Sequence, residues 1–300
     1  MKGQGRRERD GPAERRVLQV KKPISLVRST LRPLVVAAMA LAAPISASAA
    51  EWTSFSGSYA VSLAGINIGT VNLDATLNDD AYRLAGGGKI SGIAQLFAQG
   101  RGRVSSVGMF SRGKPVPNRY DYWETSDGEE LSIAIALSRG NVTSATVTPP
   151  QDRMDERVPV TNAHKRGVVD PLSMLVLPVS DMRGALAGDA CNRTLPIYDG
   201  RSRFDLRLRH VGADQISTEG YSGPAVICRI NFKAVSGHRR GREEIAEAEN
   251  ETDIRVWLAP IGDTKVLGPI KMTAGTSIGT AAITARRFAA KPLPASAAVR

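Results

Sequence analysis

Cysteine and histidine are scarce in this 300-residue chain: it has Cys191 and Cys228, and His164, His210 and His238. No two histidines stand three or four apart, so no ligand pair forms on one helix face. Cys-x-x-Cys, His-Glu-x-x-His and the glycine-rich dinucleotide and phosphate loops are missing too. So is the Gly-x-Ser-x-Gly elbow; Gly220-Tyr221-Ser222-Gly223 is one residue short and sits in a turn pattern. These absences predict no metal and no cofactor, and they weigh against an enzyme. They do not decide the question, because two carboxylates for glycoside hydrolysis can come from anywhere in a β fold.

A membrane-spanning run is also lacking. A helix needs about 20 apolar residues to cross a bilayer, and the uncharged stretch Pro33 to Ala50 offers ten in a row, Leu34 to Ala43, half of them alanine. This stretch follows a basic lead ending at Arg32, is broken by Pro44 and closes in the small-x-small triplet Ala47-Ser48-Ala49. Residues 1–50 therefore read as a cleavable secretory signal, placing the remainder outside the cytoplasm with no transmembrane span after cleavage. Arg15-Arg16 is separated from the apolar core by Lys21 and Lys22, so general secretion is expected over twin-arginine export. No cysteine stands at the cleavage site for lipid attachment.

Nor does the chain keep its charge once that lead is set aside. Of 40 basic and 29 acidic residues, ten and three fall within residues 1–50, so the rest carries 30 and 26, a net of +4 instead of +11. Basic and acidic groups are interspersed there, which excludes the basic face that nucleic acid requires. The His238 to Arg242 run is followed by the acidic Glu243 to Glu251, a self-neutralising solvated excursion. In an oxidising compartment Cys191 and Cys228 are expected to form a disulfide. The competing readings are a buried free thiol and a nucleophile, the latter without any Cys-His-Asn signature around it.

What the chain has in abundance is alternation of period two, punctuated by turn residues every eight to twelve positions. Val71, Leu73, Ala75 and Leu77 alternate with Asn72, Asp74 and Thr76; Leu131, Ile133, Ile135 and Leu137 alternate with small residues, which suggests a strand covered on both faces. Asp199-Gly200 is a hairpin signal, and Phe204, Leu206, Leu208 and His210 face inward after it. Val226, Cys228, Ile230 and Phe232 share an inward parity. Gly86-Gly87-Gly88 predicts a bend or bulge at a sheet edge. Two short helices are expected, one capped by Ser91 with Ile93, Leu96 and Phe97 on one face, the other started by Asp170-Pro171 and ended by Pro178. Gly184 to Asp189 reads as a flexible connection.

The predicted fold is all-β: a curved antiparallel sheet of about a dozen strands forming a barrel or β-spiral, with two short helices. Residues 51–288 make a single barrel-like domain and 289–300 a flexible tail. Curved sheets hold ligands in their mouths, and Tyr120, Tyr122 and Trp123, beside the weakly polar face of Leu131 to Leu137, are the candidate ligand-binding residues.

Several segments together resemble a known family. Tyr59-Ala60-Val61-Ser62-Leu63-Ala64-Gly65-Ile66-Asn67-Ile68-Gly69, Asp170-Pro171-Leu172-Ser173, Ile197-Tyr198-Asp199-Gly200 with its cysteine flanks, Trp257-Leu258 and Pro269-Ile270-Lys271-Met272 are similar to exported bacterial proteins of the DUF3108 family. The resemblance implies a barrel-like β protein of the Gram-negative envelope, hence the periplasm, with no established reaction and no catalytic residues to carry over. The expected role is a soluble, non-enzymatic envelope protein that binds a lipid-like or glycan molecule or a protein partner. The alternatives are a hydrolase of an envelope polymer, which needs a carboxylate or Ser/His pair in one cleft, and a purely structural interaction protein, which needs a filled barrel.

Overall fold

The computed structural model describes residues 51–91, 99–250 and 253–293. The expected signal and most of the helix after Ser91 lie outside the described residues. Seven strands follow one another as a meander: β1 (Trp52–Leu63), β2 (Ile66–Leu77), β3 (Ala81–Ile90), β4 (Gly100–Ser111), β5 (Lys114–Ser126), β6 (Glu129–Ser138) and β7 (Asn141–Thr148). Four of their connections are two-residue turns ending in glycine, at 64–65, 112–113, 127–128 and 139–140, with φ positive at both positions. That conformation matches the twist of the flanking strands, so each turn sets its hairpin locally.

A second run returns the chain to its start. The short β8 (Leu177–Pro178) precedes β9 (Arg193–Tyr198), β10 (Arg203–Thr218), β11 (Tyr221–Ser236), β12 (Ile254–Pro260), β13 (Val266–Thr276) and β14 (Gly279–Leu293). β14 pairs with β1, giving one antiparallel order β7-β6-β5-β4-β3-β2-β1-β14-β13-β12-β11-β10-β9, with β8 added beside β13. No ladder joins the end strands β7 and β9 among the described residues, so the sheet is curled but not closed. Residues 168–169 span the seam: the Val168 N–H donates to the Gly140 carbonyl at 2.8 Å, and the Val169 N–H to that of Pro196 at 2.8 Å. This engages backbone groups that an open edge would leave unpaired.

The same segment then fills the middle of the fold. Val168, Asp170, Leu172, Ser173 and Val176 are buried against Phe55, Leu77, Tyr82, Tyr120, Ile135 and Phe288. A second cluster gathers Leu177, Ala185, Leu195, Ile197, Leu208, Val226, Leu258 and Leu267 around the two cysteines.

The structure corrects several local expectations. The Asp170-Pro171 start does not grow into an α-helix but stops at a single 3-10 turn, Ser173–Leu175, because the turn is committed to tertiary hydrogen bonds. Gly184 to Asp189 is not a flexible connection: α1 (Met182–Ala187) is capped by Asp181, whose carboxylate accepts from the Arg183 and Gly184 N–H groups. The acidic run forms α2 (Glu243–Asn250), a helix without a fully buried residue whose Ile245 and Ala248 are half-buried. Strand β14 runs on through Leu293, past the start of the expected tail at 289, because Ala289 to Leu293 pair with β1. β6 is covered on one face only, as Ala134 is exposed. His210, expected to face inward, pairs with Cys228 beside a bulge in the middle of β10 and is exposed. Finally, Gly86-Gly87-Gly88 makes neither bulge nor edge: β3 pairs without a register break on both sides, with β2 and β4.

Candidate binding cavity

Register across the first half of the sheet stacks its inward residues in rows. The deepest row is Ala75, Leu84, Ser106, Tyr120 and Ile135; above it lie Leu73, Gly86, Val104, Tyr122 and Ile133, then Val71, Gly88, Gly102, Glu124 and Leu131. Tyr82 and Leu84 are buried on β3, so Gly86 and Gly88, two and four residues on, continue that inward face. Where neighbouring rows carry aliphatic or aromatic side chains, these positions carry none.

The missing side chains leave a cavity of about 560 Å³. Val61, Val71, Val104 and the glycines form its walls, Tyr120 and Tyr122 one side, and Pro171, Leu172 and Leu175 of the inner segment its floor. It lies toward the sheet end bearing the 64–65 and 127–128 turns. Its size falls within the range of about 300–1,000 Å³ typical of small-molecule sites, which are mostly apolar with a few placed polar groups. One such group belongs to Tyr120, a residue that is 4% exposed. Burial, with the nearby charges of Asp170 and Asp199, pushes its pKa well above the ordinary phenol range. The Tyr122 hydroxyl donates to the Glu124 carboxylate at 2.5 Å, and burial and that carboxylate raise its pKa too.

The three aromatics expected at a ligand site thus separate. Tyr120 and Tyr122 share the cavity, whereas Trp123 points to the opposite face, as alternation requires. There Arg103 and Arg101 lie 4.5 and 5.7 Å from its ring centroid, and its indole N–H donates to Glu130. Glu124 and Gly102 were not singled out from sequence, and Gly88 only as part of an expected bend. The legible signal was the pair of Gly-x-Gly patterns, Gly86/Gly88 and Gly100/Gly102, on neighbouring strands.

Beneath the floor lies a buried polar cluster. Asp170 Oδ1 accepts from the Leu172 and Ser173 N–H groups at 2.8 and 2.9 Å, and its Oδ2 from the Ser173 and Ser106 hydroxyls at 2.6 and 2.9 Å. The Tyr82 hydroxyl donates to Ser173 Oγ at 2.8 Å. A Cβ on Gly108 would come within 2.3 Å of the Tyr82 oxygen, so that glycine lets the ring reach its partner. Burial outweighs these four bonds and holds the Asp170 pKa above its ordinary value. Ser106, Asp170 and Ser173 are 1% exposed or less, so the cluster fastens the inner segment to the sheet and does not open onto the cavity.

The expected cysteine pair comes together. The sulfurs of Cys191, at the end of a 3-10 turn, and Cys228, in the middle of β11, are 2.06 Å apart with Cα atoms at 5.3 Å. Among the described residues no cluster of three or more histidine, cysteine or acidic side chains is placed to hold a metal, and no helix is long and apolar enough to cross a membrane.

Fold and cavity together define the class: a curled, open antiparallel sheet filled by its own chain and hollowed at one end by glycines. The family model described as protein of unknown function (DUF3108) matches residues 58–286, and the chain belongs to that family. No curated protein matches the sequence. The crystal structure of a beta-barrel-like protein of domain of unknown function DUF1849 from Brucella abortus is similar over 81% of this chain and 98% of its own. The identity is 8% and the TM-score 0.42.

Proposed function

We propose that the protein works in the periplasm as a soluble binding protein of the cell envelope, holding a lipid-like molecule in the cavity between β1–β5 and the inner segment. The observation that carries this reading is the row of inward glycines, Gly86, Gly88 and Gly102. Glycine in a strand interior costs stability and contributes no packing, so three of them facing one space favour a site kept empty for an occupant. Aliphatic walls suit an apolar chain better than a glycan, which would need more donors and acceptors than Tyr120, Tyr122 and Glu124 supply. Export is supported by the signal pattern of residues 1–50 and by the paired cysteines.

Native mass spectrometry of protein purified from the periplasm of an expressing cell, beside a denatured spectrum, tests retention of cargo; a heavier folded mass is expected. A second measurement fills the cavity. Leucines at the directly paired Gly88 and Gly102 would project inward, with Cβ atoms 3.3 Å from their nearest neighbours, the Thr70 and Trp123 carbonyl oxygens. Gly88→Leu/Gly102→Leu is expected to fold, to keep its thermal stability within about 1 kcal/mol as strand propensity offsets the tight contacts, and to lose at least tenfold in affinity for a neutral naphthylamine probe. Matching native and denatured masses, together with probe uptake unchanged in the double variant, would refute the reading.

A further inference from the structure

The polar end of the cavity is asymmetric in charge. Glu124 is the one ionisable carboxyl among its described lining residues, and it stands on the inward face of β5 between Gly102 and Leu131. Its hydrogen-bond partner is the neutral Tyr122 hydroxyl, and no basic side chain among the described residues pairs with it. Lys89, Arg101 and Arg103 also border the cavity, but they occupy the alternate positions of its wall and are exposed; the two guanidinium groups lie over Trp123 on the far face. An anionic head group seated at Glu124 would therefore meet a half-buried carboxylate that no cation pairs with. An ammonium group would gain the missing counter-charge. Deeper in, Tyr120 adds a second phenol to the lining.

We infer that the cavity selects amphiphiles whose apolar chain carries an ammonium group, the chain lying along the glycine wall and the cation seated on Glu124. The inference rests on the proposed function of the cavity and adds the class of head group. It runs against the chain's overall charge, which is net basic and would by itself draw anionic amphiphiles.

Three probes of equal chain length decide it: dodecylammonium, dodecanol and dodecanoate, each below its micelle concentration at neutral pH, competed against the naphthylamine probe. Dodecylammonium is expected to bind at least tenfold tighter than dodecanoate. Glu124→Gln should abolish that preference while leaving dodecanol unchanged, and Glu130→Gln on the outer face should leave it intact. Gly88→Leu/Gly102→Leu should weaken all three. If all three bind wild type equally, or dodecanoate binds tightest, and the leucine variant still loses them, the head-group assignment is overturned while the cavity reading stands. If none binds and the leucine variant behaves as wild type, both fall.

Discussion

Asp170→Ala is expected to lower the unfolding free energy by about 3–5 kcal/mol, the consequence of leaving several buried polar groups without partners at about 1–3 kcal/mol each. The Leu172 and Ser173 N–H groups and the Ser106 and Ser173 hydroxyls all donate to this carboxylate, in a region with no solvent to replace it. The damage should spread beyond the turn, because the same segment lays Leu172 and Leu175 as the cavity floor and spans the seam between β7 and β9. Urea denaturation of wild type and variant measures the loss. A difference under 1 kcal/mol would show that the cluster does not anchor the segment.

Asp170→Asn separates the hydrogen bonds from the charge. The amide oxygen can still accept from the two backbone N–H groups, and the amide nitrogen faces two hydroxyl oxygens with free lone pairs. The carboxyl pKa is raised in the folded state above its unfolded value, chiefly by burial. The folded protein therefore holds the proton more tightly than the unfolded chain. That contribution is fully present below the unfolded value, about 4, and is lost as pH rises through the folded one. Wild type should thus lose stability relative to Asp170→Asn between pH 4 and neutrality. Asp199, raised likewise by burial, is common to both proteins and cancels. A constant difference between the two across that window, or one that grows in favour of wild type, would contradict the sign.

Legibility followed the range of the chemistry. Asp199-Gly200 was readable because the turn is made locally: Asp199 Oδ1 accepts from the Arg201 and Ser202 N–H groups, and Gly200 takes a φ of 95°. The alternation of β2 and β6 was readable because each strand buries one face. Asp170 was half readable. Its side chain does cap the two N–H groups that follow, as an N-cap would, but Ser106 and Tyr82, 64 and 91 residues from their partners, hold the turn and prevent a helix. α1 was hidden by Gly184 and is held by packing of Ala185, Met182 and Leu186 on the cysteine cluster. α2 was legible in its Glu and Ala content, since both are strong helix formers even where only Ile245 and Ala248 are half-buried. The cavity was least readable, because a glycine has no side chain by which its face can be told. Only register with Tyr82 and Leu84 on one strand and Val104 on the next places the gap inside.

Removing the cysteine bridge is the other change with a large expected effect. Cys191 and Cys228 are 37 residues apart, and closing a loop of that length in the unfolded chain corresponds to about 4 kcal/mol in the chain-entropy model. The bridge fixes the end of the long excursion between β7 and β9 to the centre of β11, where Cys228 pairs across the ladders with His210 and Val256. Both cysteines are fully buried among Ala185, Leu195, Leu208 and Val226, so the variant should avoid a stranded hydroxyl or thiol. Cys191→Ala/Cys228→Ala meets that condition and is expected to melt about 10 °C below oxidised wild type, a domain of this size shifting by about 2–4 °C per kcal/mol. Reduced wild type should fall toward the variant, whereas reductant should leave the variant itself unmoved. The excursion carries the cavity floor, so loss of the bridge should also weaken probe binding at temperatures well below the transition. Identical melting of oxidised and reduced wild type would mean that the pair contributes no stability, and the excursion would then owe its position to the Asp170 cluster, the seam hydrogen bonds and its apolar packing.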